Sequence, residues 1–271
     1  MLLDSRLLQK YIEHFYGYGE LTADFWYIGM EEAGGETEDE IVQRVIRWDE
    51  LGQGTVVDNA DLHEAVQDKR GISLSYLFKQ PVKIQRTWAK LIRIYIATKG
   101  QCNVSVEAVR NCQSSFWGRR GSNTCLLELM PLPSPNVKMW NYGDWSNLPE
   151  LSTRAEYQLQ LTDCRLEKLR GLIHEHKPRC VVFYSVGRKY LSHWSDIAGV
   201  DIGTIEPESV CTGKKGTQFT AKFVLSGETL YSVVSHPSTW GITNKYYTTV
   251  GNIIRERMIA SKALCSAFPS E

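Results

Sequence analysis

The sequence contains no long apolar segment and no closely spaced pair of cysteines. No apolar run approaches the ~18 residues that a membrane-spanning helix needs. Residues 1–15 lack the basic and then apolar arrangement of a signal peptide. The seven cysteines are an odd number without a C-x-x-C pair, which favours reduced thiols over a disulfide framework. We therefore expect a cytoplasmic protein with no membrane partner.

Internal repeats, low-complexity segments and linkers rich in Pro, Gly or Ser are also missing. The 271 residues are 42% hydrophobic and 23% charged, which is typical of a globular protein. A chain of this length can bury a core without disulfides or metals. We predict a single domain over residues 1–271.

The net charge is zero, but the two signs are unevenly distributed. Residues 1–68 carry 16 acidic and 4 basic side chains, a net charge of −12, and residues 69–271 carry 15 acidic and 27 basic side chains, a net charge of +12. This split suggests a basic face for a polyanion. The alternative is that both halves fold together and their charges interleave on one surface.

Four short apolar runs, rich in β-branched and aromatic residues, predict buried strands at 25–30, 125–130, 180–186 and 230–235. Apolar residues at helical spacing lie between and around them, near residues 7–15, 41–48, 84–95, 157–164 and 247–254. This alternation favours an α/β sandwich of three layers, with a central four-stranded parallel sheet flanked by helices. Ligands of such sheets bind outside the carboxyl ends of the strands.

The first strand ends in the sequence GMEEAGG at positions 29–35. Its glycines allow a close approach of the backbone to a ligand, and a carboxylate there could orient water or stabilise a cation. The alternative is the acidic start of a helix. We favour the helix start for residues 36–40 and a functional role for Glu31.

The second strand carries Glu128 within an apolar run. A charge in such a place is costly unless it is paired. Glu128 is therefore either an edge or ion-paired residue, or an acceptor that reaches into a pocket.

The fourth strand is followed by His236, Pro237 and Ser238, and then by a polar loop that contains Trp240. An isolated histidine is more often structural than catalytic. This one, however, lies at a strand end, and the proline after it fixes the backbone there. After the third strand, Gly187 opens a basic helix with Arg188 and Lys189, which suits either phosphate contact or a solvated helix start.

The strand-end segments, in this order, resemble the uracil-DNA glycosylase superfamily. The segment GMEEAG at 29–34 is similar to the family's first motif, and His-Pro-Ser at 236–238 matches its last. The segment LLELMP at 126–131 is similar to the strand that recognises the flipped base. The resemblance spans roughly residues 20–260 and implies the four-stranded parallel sheet of that family.

The resemblance implies a role for each matching residue. Glu31 takes the place of the acid or amide that positions water and supports the sugar cation, and His236 that of the histidine that hydrogen-bonds the leaving base. Trp240 or Ile242 lies in the loop that probes the DNA double helix. The substrate-binding residues would be Gly29, Met30, Glu32, Glu128, Ser238 and Trp240. Some relatives carry an iron–sulfur cluster, but the cysteine spacing here favours no metal and no cofactor.

Two positions depart from the family pattern. Glu32 stands where the family has proline, so either Glu31 or Glu32 could be the catalytic carboxylate. Glu128 stands where uracil-cleaving members have asparagine, and a carboxylate accepts from the exocyclic amine of cytosine. The substrate expected is therefore a cytosine-type base, and a modified one, because excision of normal cytosine would destroy the host genome. One prokaryotic branch of the family removes glucosylated 5-hydroxymethylcytosine from phage DNA. Aromatic residues at 139–145 could stack on such a sugar, or could simply pack the loop.

Double-stranded DNA with a modified base is the expected partner, and no obligatory protein partner is evident. Basic residues beside aromatic or glycine residues could contact its phosphates: Arg119, Arg120, Arg188, Lys189, Lys214 and Lys215.

The leading hypothesis is a monofunctional DNA glycosylase that leaves an abasic site, used in anti-phage defence. The alternatives are excision of uracil or a deaminated base in DNA repair, and a protein of this fold that binds nucleic acid without cleaving it.

Overall fold

The structure is a computed structural model that describes residues 4–267, apart from the side chains of residues 188 and 262–267. Within this part of the chain one sheet forms from β1 (Gly17–Gly19), β2 (Phe25–Glu31), β3 (Val56–Val57), β4 (Thr124–Met130), β5 (Cys180–Phe183), β6 (Glu208–Thr212), β7 (Gln218–Ser226) and β8 (Thr229–Val233). The helices are α1 (Ser5–His14), α2 (Glu38–Glu50), α3 (Asn59–Glu64), α4 (Arg86–Thr98), α5 (Val106–Ser115), α6 (Tyr142–Trp145), α7 (Arg154–His176), α8 (Arg188–Ala198) and α9 (Asn244–Ala267).

The sheet has eight mixed strands in the order β3-β1-β4-β2-β5-β8-β7-β6. The predicted size of four parallel strands is therefore wrong. The four predicted strands are adjacent and parallel at the centre of the sheet, in the order β4-β2-β5-β8. The strands β1 and β7 run antiparallel to their neighbours β4 and β8. The central strands are buried on both faces, which gives them continuous apolar sequences.

The outer strands were missed because they lack such sequences. The strands β1 and β3 have three and two residues. Burial alternates along β7, so its apolar residues occur at every second position. Residues 213–217 join β6 to β7 in a hairpin, since the two strands pair antiparallel across this segment.

Helices cover both faces of the sheet, as predicted. Side chains of successive strand residues point to opposite faces. Phe25 contacts Tyr95 of α4, whereas Trp26 contacts His176 of α7. This confirms the α/β class with a sheet flanked by helices.

All five predicted helices are present, as α1, α2, α4, α7 and α9. The acidic run before the second of them is a helix start, as favoured above, because Thr37 caps α2 by accepting from the backbone N–H of Glu40. Within residues 4–267, no helix combines the length and the apolar character that crossing a bilayer requires.

Candidate active site

The carboxyl ends of the four central strands bring the main candidate residues to one edge of the sheet. Glu31 ends β2, and Glu128 lies on β4 directly beside Gly29. Tyr184 follows β5, and His236 follows β8 after two further residues. Because these strands are parallel and adjacent, their carboxyl ends form one crevice, which is where ligands of α/β sheets bind.

Glu128 is held in a narrow space beside Gly29. A Cβ atom at residue 29 would lie 2.1 Å from the Tyr184 hydroxyl and 2.3 Å from Oε2 of Glu128, so only glycine fits. The Tyr184 hydroxyl donates to Oε1 of Glu128 at 2.5 Å, while Oε2 is buried with no hydrogen-bond partner among the described residues. Burial, together with the nearby charges of Glu32 and Glu31, raises the pKa of Glu128 to about 8. At neutral pH this side chain is a carboxylic acid with both a donor and an acceptor.

Glu31 is fixed by an arginine that sequence reasoning missed. Nη1 of Arg154, in the first turn of α7, lies 2.9 Å from Oε1 and 2.6 Å from Oε2 of Glu31. Nη2 of Arg154 donates to the Ser134 hydroxyl and to the carbonyls of Asn136 and Met139. Burial raises the pKa of Glu31, and the hydrogen bonds and charge of Arg154 oppose this rise. Arg154 therefore sets the direction of the Glu31 carboxylate and ties it to the loop after β4.

Glu32 belongs to a different, tightly bonded group. Its carboxylate accepts from the Tyr18 hydroxyl at 2.6 Å and from Nη1 of Arg44 at 3.0 Å, and Nε2 of His63 lies 3.3 Å away. Burial alone would raise the pKa of Glu32, but Arg44 and His63 hold it at about 2. A carboxylate with this many donors is a poor general base, which favours Glu31 over Glu32 for the catalytic role.

The Glu32 contacts predict an acid-sensitive contribution to stability. Because the folded pKa of about 2 lies below the ordinary 4.5, the contribution is complete above pH 4.5 and is lost as the pH falls towards 2. We expect Glu32→Gln to lower the free energy of unfolding by about 3 kcal/mol at pH 7 and by about half of that at pH 3. Urea unfolding at both pH values measures this, with the exposed Glu175→Gln as control. A loss that does not change with pH would contradict the ion-pair explanation.

His236 is oriented by the serine two residues after it. The Ser238 backbone N–H donates to Nδ1 of His236 at 3.1 Å, and the Ser238 hydroxyl lies 2.7 Å from the same atom. Since Nδ1 accepts an N–H, the proton of the neutral ring is on Nε2. Burial lowers the pKa of His236, and the nearby Lys90 adds to this. The ring is thus a neutral donor, and its Nε2–H bonds no other group among the residues that the structure describes.

The loop after His236 presents one large aromatic side chain to solvent. Trp240 is 70% exposed, whereas Ile242, the other residue considered for probing DNA, is 8% exposed. The Nζ atom of Lys215 lies 5.4 Å from the Trp240 ring centroid, and the Lys214 N–H donates to the carbonyl of Gly241. The β6–β7 hairpin and the histidine loop therefore form one surface with an aromatic tip and two lysines.

The other predicted DNA contacts are dispersed. Arg119 is bound to Asp58 at 2.8 Å and 3.0 Å, and Arg120 donates its backbone N–H to the same carboxylate. Both lie before β4, at the amino end of the parallel strands, which places them about 20 Å from the crevice. Lys189, at the start of α8, is exposed and bonds Gln158. The side chain of Arg188 lies outside the described residues.

Two predicted substrate contacts have other surroundings. Met30 lies next to Glu31 on β2, so its side chain points to the opposite face of the sheet from the Glu31 side chain. In the aromatic segment 139–145, the Trp140 ring packs against Tyr142 and Tyr157, and its N–H donates to the carbonyl of Leu151. The packing alternative holds for Trp140.

A pocket of ≈ 280 Å³ opens beside the turn after β2. Glu32, Ala33 and Gly34 form one side of it, and Pro135, which follows β4, borders it as well. His63 and Trp88 lie on the remaining wall. The pocket therefore lies beyond the ends of β2 and β4, and Glu31, Glu128, Tyr184 and His236 are not among the described residues that line it.

The cysteines and metal-binding side chains are scattered. Cys102, Cys112, Cys125, Cys164, Cys180 and Cys211 are free thiols. Among the residues that the structure describes, no group of three or more His, Cys, Asp or Glu side chains could hold a metal ion.

Comparison with known proteins adds no assignment. Neither a scan against protein-family models nor a search of curated proteins finds a match for this chain.

Proposed function

We propose that this protein is a monofunctional DNA glycosylase that flips a modified cytosine out of duplex DNA and hydrolyses its N-glycosidic bond. The observation that carries the proposal is the crevice itself. Its neutral His236 carries an Nε2–H that can donate to a ligand, its Glu128 has both a donor and an acceptor, and its Glu31 is oriented by Arg154. The resemblance to the uracil-DNA glycosylase superfamily supports the same roles.

In this mechanism the enzyme stabilises charge that develops on both halves of the nucleoside. The N-glycosidic bond breaks, its electron pair moves onto the base, and the Nε2–H of His236 donates to the base oxygen that becomes negative. Glu31 orients a water molecule and stabilises the oxocarbenium-like sugar. Water adds to C1′ and gives its proton to the Glu31 carboxylate, the anionic base takes up a proton from solvent, and Glu31 then releases its own, so the products are the neutral free base and an abasic site.

Trp240 and the two hairpin lysines supply the contact with DNA. An apolar or aromatic wedge fills the space that a flipped nucleotide leaves, and lysines bind the flanking phosphates. The exposed Trp240 beside Lys214 and Lys215 has this arrangement. Excision of a modified cytosine foreign to the host genome suits defence against phage DNA.

The protonation state of Glu128 predicts how the excision rate depends on pH. Since its pKa is about 8, the carboxylic acid that donates to the ring nitrogen of cytosine is lost above that pH. We expect the single-turnover rate to fall about tenfold per pH unit above 8. Glu128→Gln, which keeps a donor and an acceptor at every pH, removes this descending limb.

A matched variant tests whether the fall of the single-turnover rate above pH 8 is due to Glu128. The hydrogen bond from Tyr184 lowers the pKa of Glu128, so Tyr184→Phe moves the limb to higher pH. A limb that stays in place in both variants would belong to another group.

Excision of uracil is the second candidate, and one observation favours it. A protonated Glu128 can donate to O4 of uracil and accept from its N3–H, so the acid form alone does not reject this base. Three duplexes containing uracil, 5-hydroxymethylcytosine or its glucosylated form separate the candidates after alkali treatment and a denaturing gel. Cleavage only at uracil would replace our proposal by a repair function. Salt-sensitive binding without cleavage of any duplex would indicate a non-catalytic protein.

A further inference from the structure

A lysine in the second turn of α4 connects this helix to the turn that carries His236. The half-buried Lys90 donates from Nζ to the carbonyl of Pro237 at 2.5 Å, and its Nζ lies 5.7 Å from the centroid of the Tyr247 ring. We infer that Lys90 is a positioning residue of the reaction, which fixes the turn after β8 and places a positive charge beside the imidazole of His236. This inference rests on the proposed function and adds a residue to its mechanism.

The first argument is that α4 and α9 together form a firm support for this turn. A Cβ atom at Gly251 of α9 would lie 2.4 Å from the carbonyl oxygen of Ile94 of α4, so only glycine lets the two helices lie this close. The Tyr247 hydroxyl of α9 donates to the carbonyl of Ser235 at 3.1 Å. The residue before the histidine is therefore bonded to α9, and the residue after it is bonded to α4 through Lys90.

The second argument is that the charge of Lys90 is not cancelled by a carboxylate. Within the part of the chain that the structure describes, Lys90 contacts a neutral carbonyl and an aromatic ring and forms no salt bridge. Arg154, the other cation of the crevice, is instead paired with Glu31. A charge in a half-buried place acts more strongly on its neighbours than one in bulk water. The charge of Lys90 is therefore felt by the histidine next to its acceptor.

The third argument is that the turn requires a neutral imidazole. Nδ1 of His236 accepts the backbone N–H of Ser238 at 3.1 Å, so a proton on Nδ1 would place two N–H groups against each other. Burial lowers the pKa of His236, and the positive charge of Lys90 lowers it further. Lys90 therefore favours the one tautomer that keeps the turn closed and leaves the proton on Nε2.

The other titratable groups around the ring are neutral. The Tyr184 ring, after β5, has its centroid 6.1 Å from that of His236, and burial raises the pKa of Tyr184 well above its ordinary value. Burial also raises the pKa of Tyr247 of α9. Glu128 of β4 accepts from the Tyr184 hydroxyl and is an acid at neutral pH. Among the described residues, no carboxylate changes the pKa of His236, which leaves this effect to Lys90.

Three substitutions separate the charge of Lys90 from its hydrogen bond. Lys90→Met removes both, Lys90→Gln keeps an N–H donor without the charge, and Lys90→Arg keeps both. Lys168→Met, at an exposed position of α7, is the matched control. The protonation midpoint of His236 in the free protein is read by NMR from its Cε1–H resonance, which is identified by its absence in His236→Ala. We expect this midpoint to rise in Lys90→Met and Lys90→Gln and to stay in place in Lys90→Arg and the control.

Single-turnover excision and duplex affinity are measured on the same proteins. We expect Lys90→Met to slow excision at least about tenfold, because a small misplacement of a reacting group has effects of this size. Affinity for the duplex stays close to that of the wild type, since Lys90 acts through His236 and not through DNA. Lys90→Arg recovers most of the rate, and Lys90→Gln lies between the two.

The outcomes separate this inference from the function on which it rests. In a protein that releases base, an unchanged His236 midpoint or an unchanged excision rate in both Lys90→Met and Lys90→Gln overturns the inference alone. If Lys90→Met does not fold, Lys90→Gln decides by itself. A wild-type protein that releases no base from any duplex overturns the proposed function, and with it a role of Lys90 in the reaction. The midpoint in the free protein then still decides whether Lys90 controls the protonation of His236.

Discussion

Replacing His236 by alanine slows base excision about 10²–10³-fold, the usual cost of removing one hydrogen-bond donor from a developing negative charge. The donor is the Nε2–H, because the backbone N–H of Ser238 occupies Nδ1. A neutral donor suits this task, since burial and Lys90 keep the pKa of His236 below its ordinary value. Single-turnover rates on the best duplex of the three measure the effect.

Two further variants show whether the slower excision by His236→Ala comes from the loss of its hydrogen bond to the base. His174→Ala, at an exposed position of α7, leaves the rate unchanged. Ser238→Ala keeps the backbone N–H and removes only the hydroxyl, so it slows the reaction less than His236→Ala does. Affinity for the substrate duplex stays within a fewfold of wild type in all three. A His236→Ala protein with the wild-type rate would remove the histidine from the mechanism.

The centre of the fold could be predicted from the sequence because its strands are buried on both faces. Such strands have uninterrupted apolar sequences, and the residues just after them are found by position alone. Glu31 and His236 were identified in this way. The edge strands could not be, since β1 consists of Gly17, Tyr18 and Gly19 and pairs through its backbone.

The partners of the site residues were beyond sequence reasoning for a different reason. Arg154 lies 123 positions after Glu31, and no local pattern connects the two. His63 lies 31 positions after Glu32 and was not distinguished from other histidines. Tyr184 was hidden because the apolar run continues to Val186, although β5 ends at Phe183. A strand that ends early leaves its next aromatic residue in the crevice.

Glu31→Gln lowers the excision rate about 10²–10⁴-fold, since an amide neither accepts the proton of water nor stabilises the sugar cation as a carboxylate does. The pairing with Arg154 makes this a demanding test, because the arginine neutralises part of the carboxylate charge. If the pair acts as a unit, Arg154→Met also slows the reaction, because Glu31 then loses the group that directs it. Single-turnover rates of both variants, with Glu175→Gln as control, measure these effects.

The comparison with Glu32→Gln decides which carboxylate is catalytic. Glu32 is bonded to Tyr18 and Arg44 and lies near His63, so its replacement lowers the free energy of unfolding more than the excision rate. Glu31→Gln has the opposite pattern, because Arg154 keeps other acceptors in Ser134 and Met139 when the charge is removed. The opposite result would be a Glu31→Gln protein with the wild-type excision rate and a Glu32→Gln protein that is stably folded but slow. Glu32 would then be the catalytic carboxylate and Glu31 the structural one.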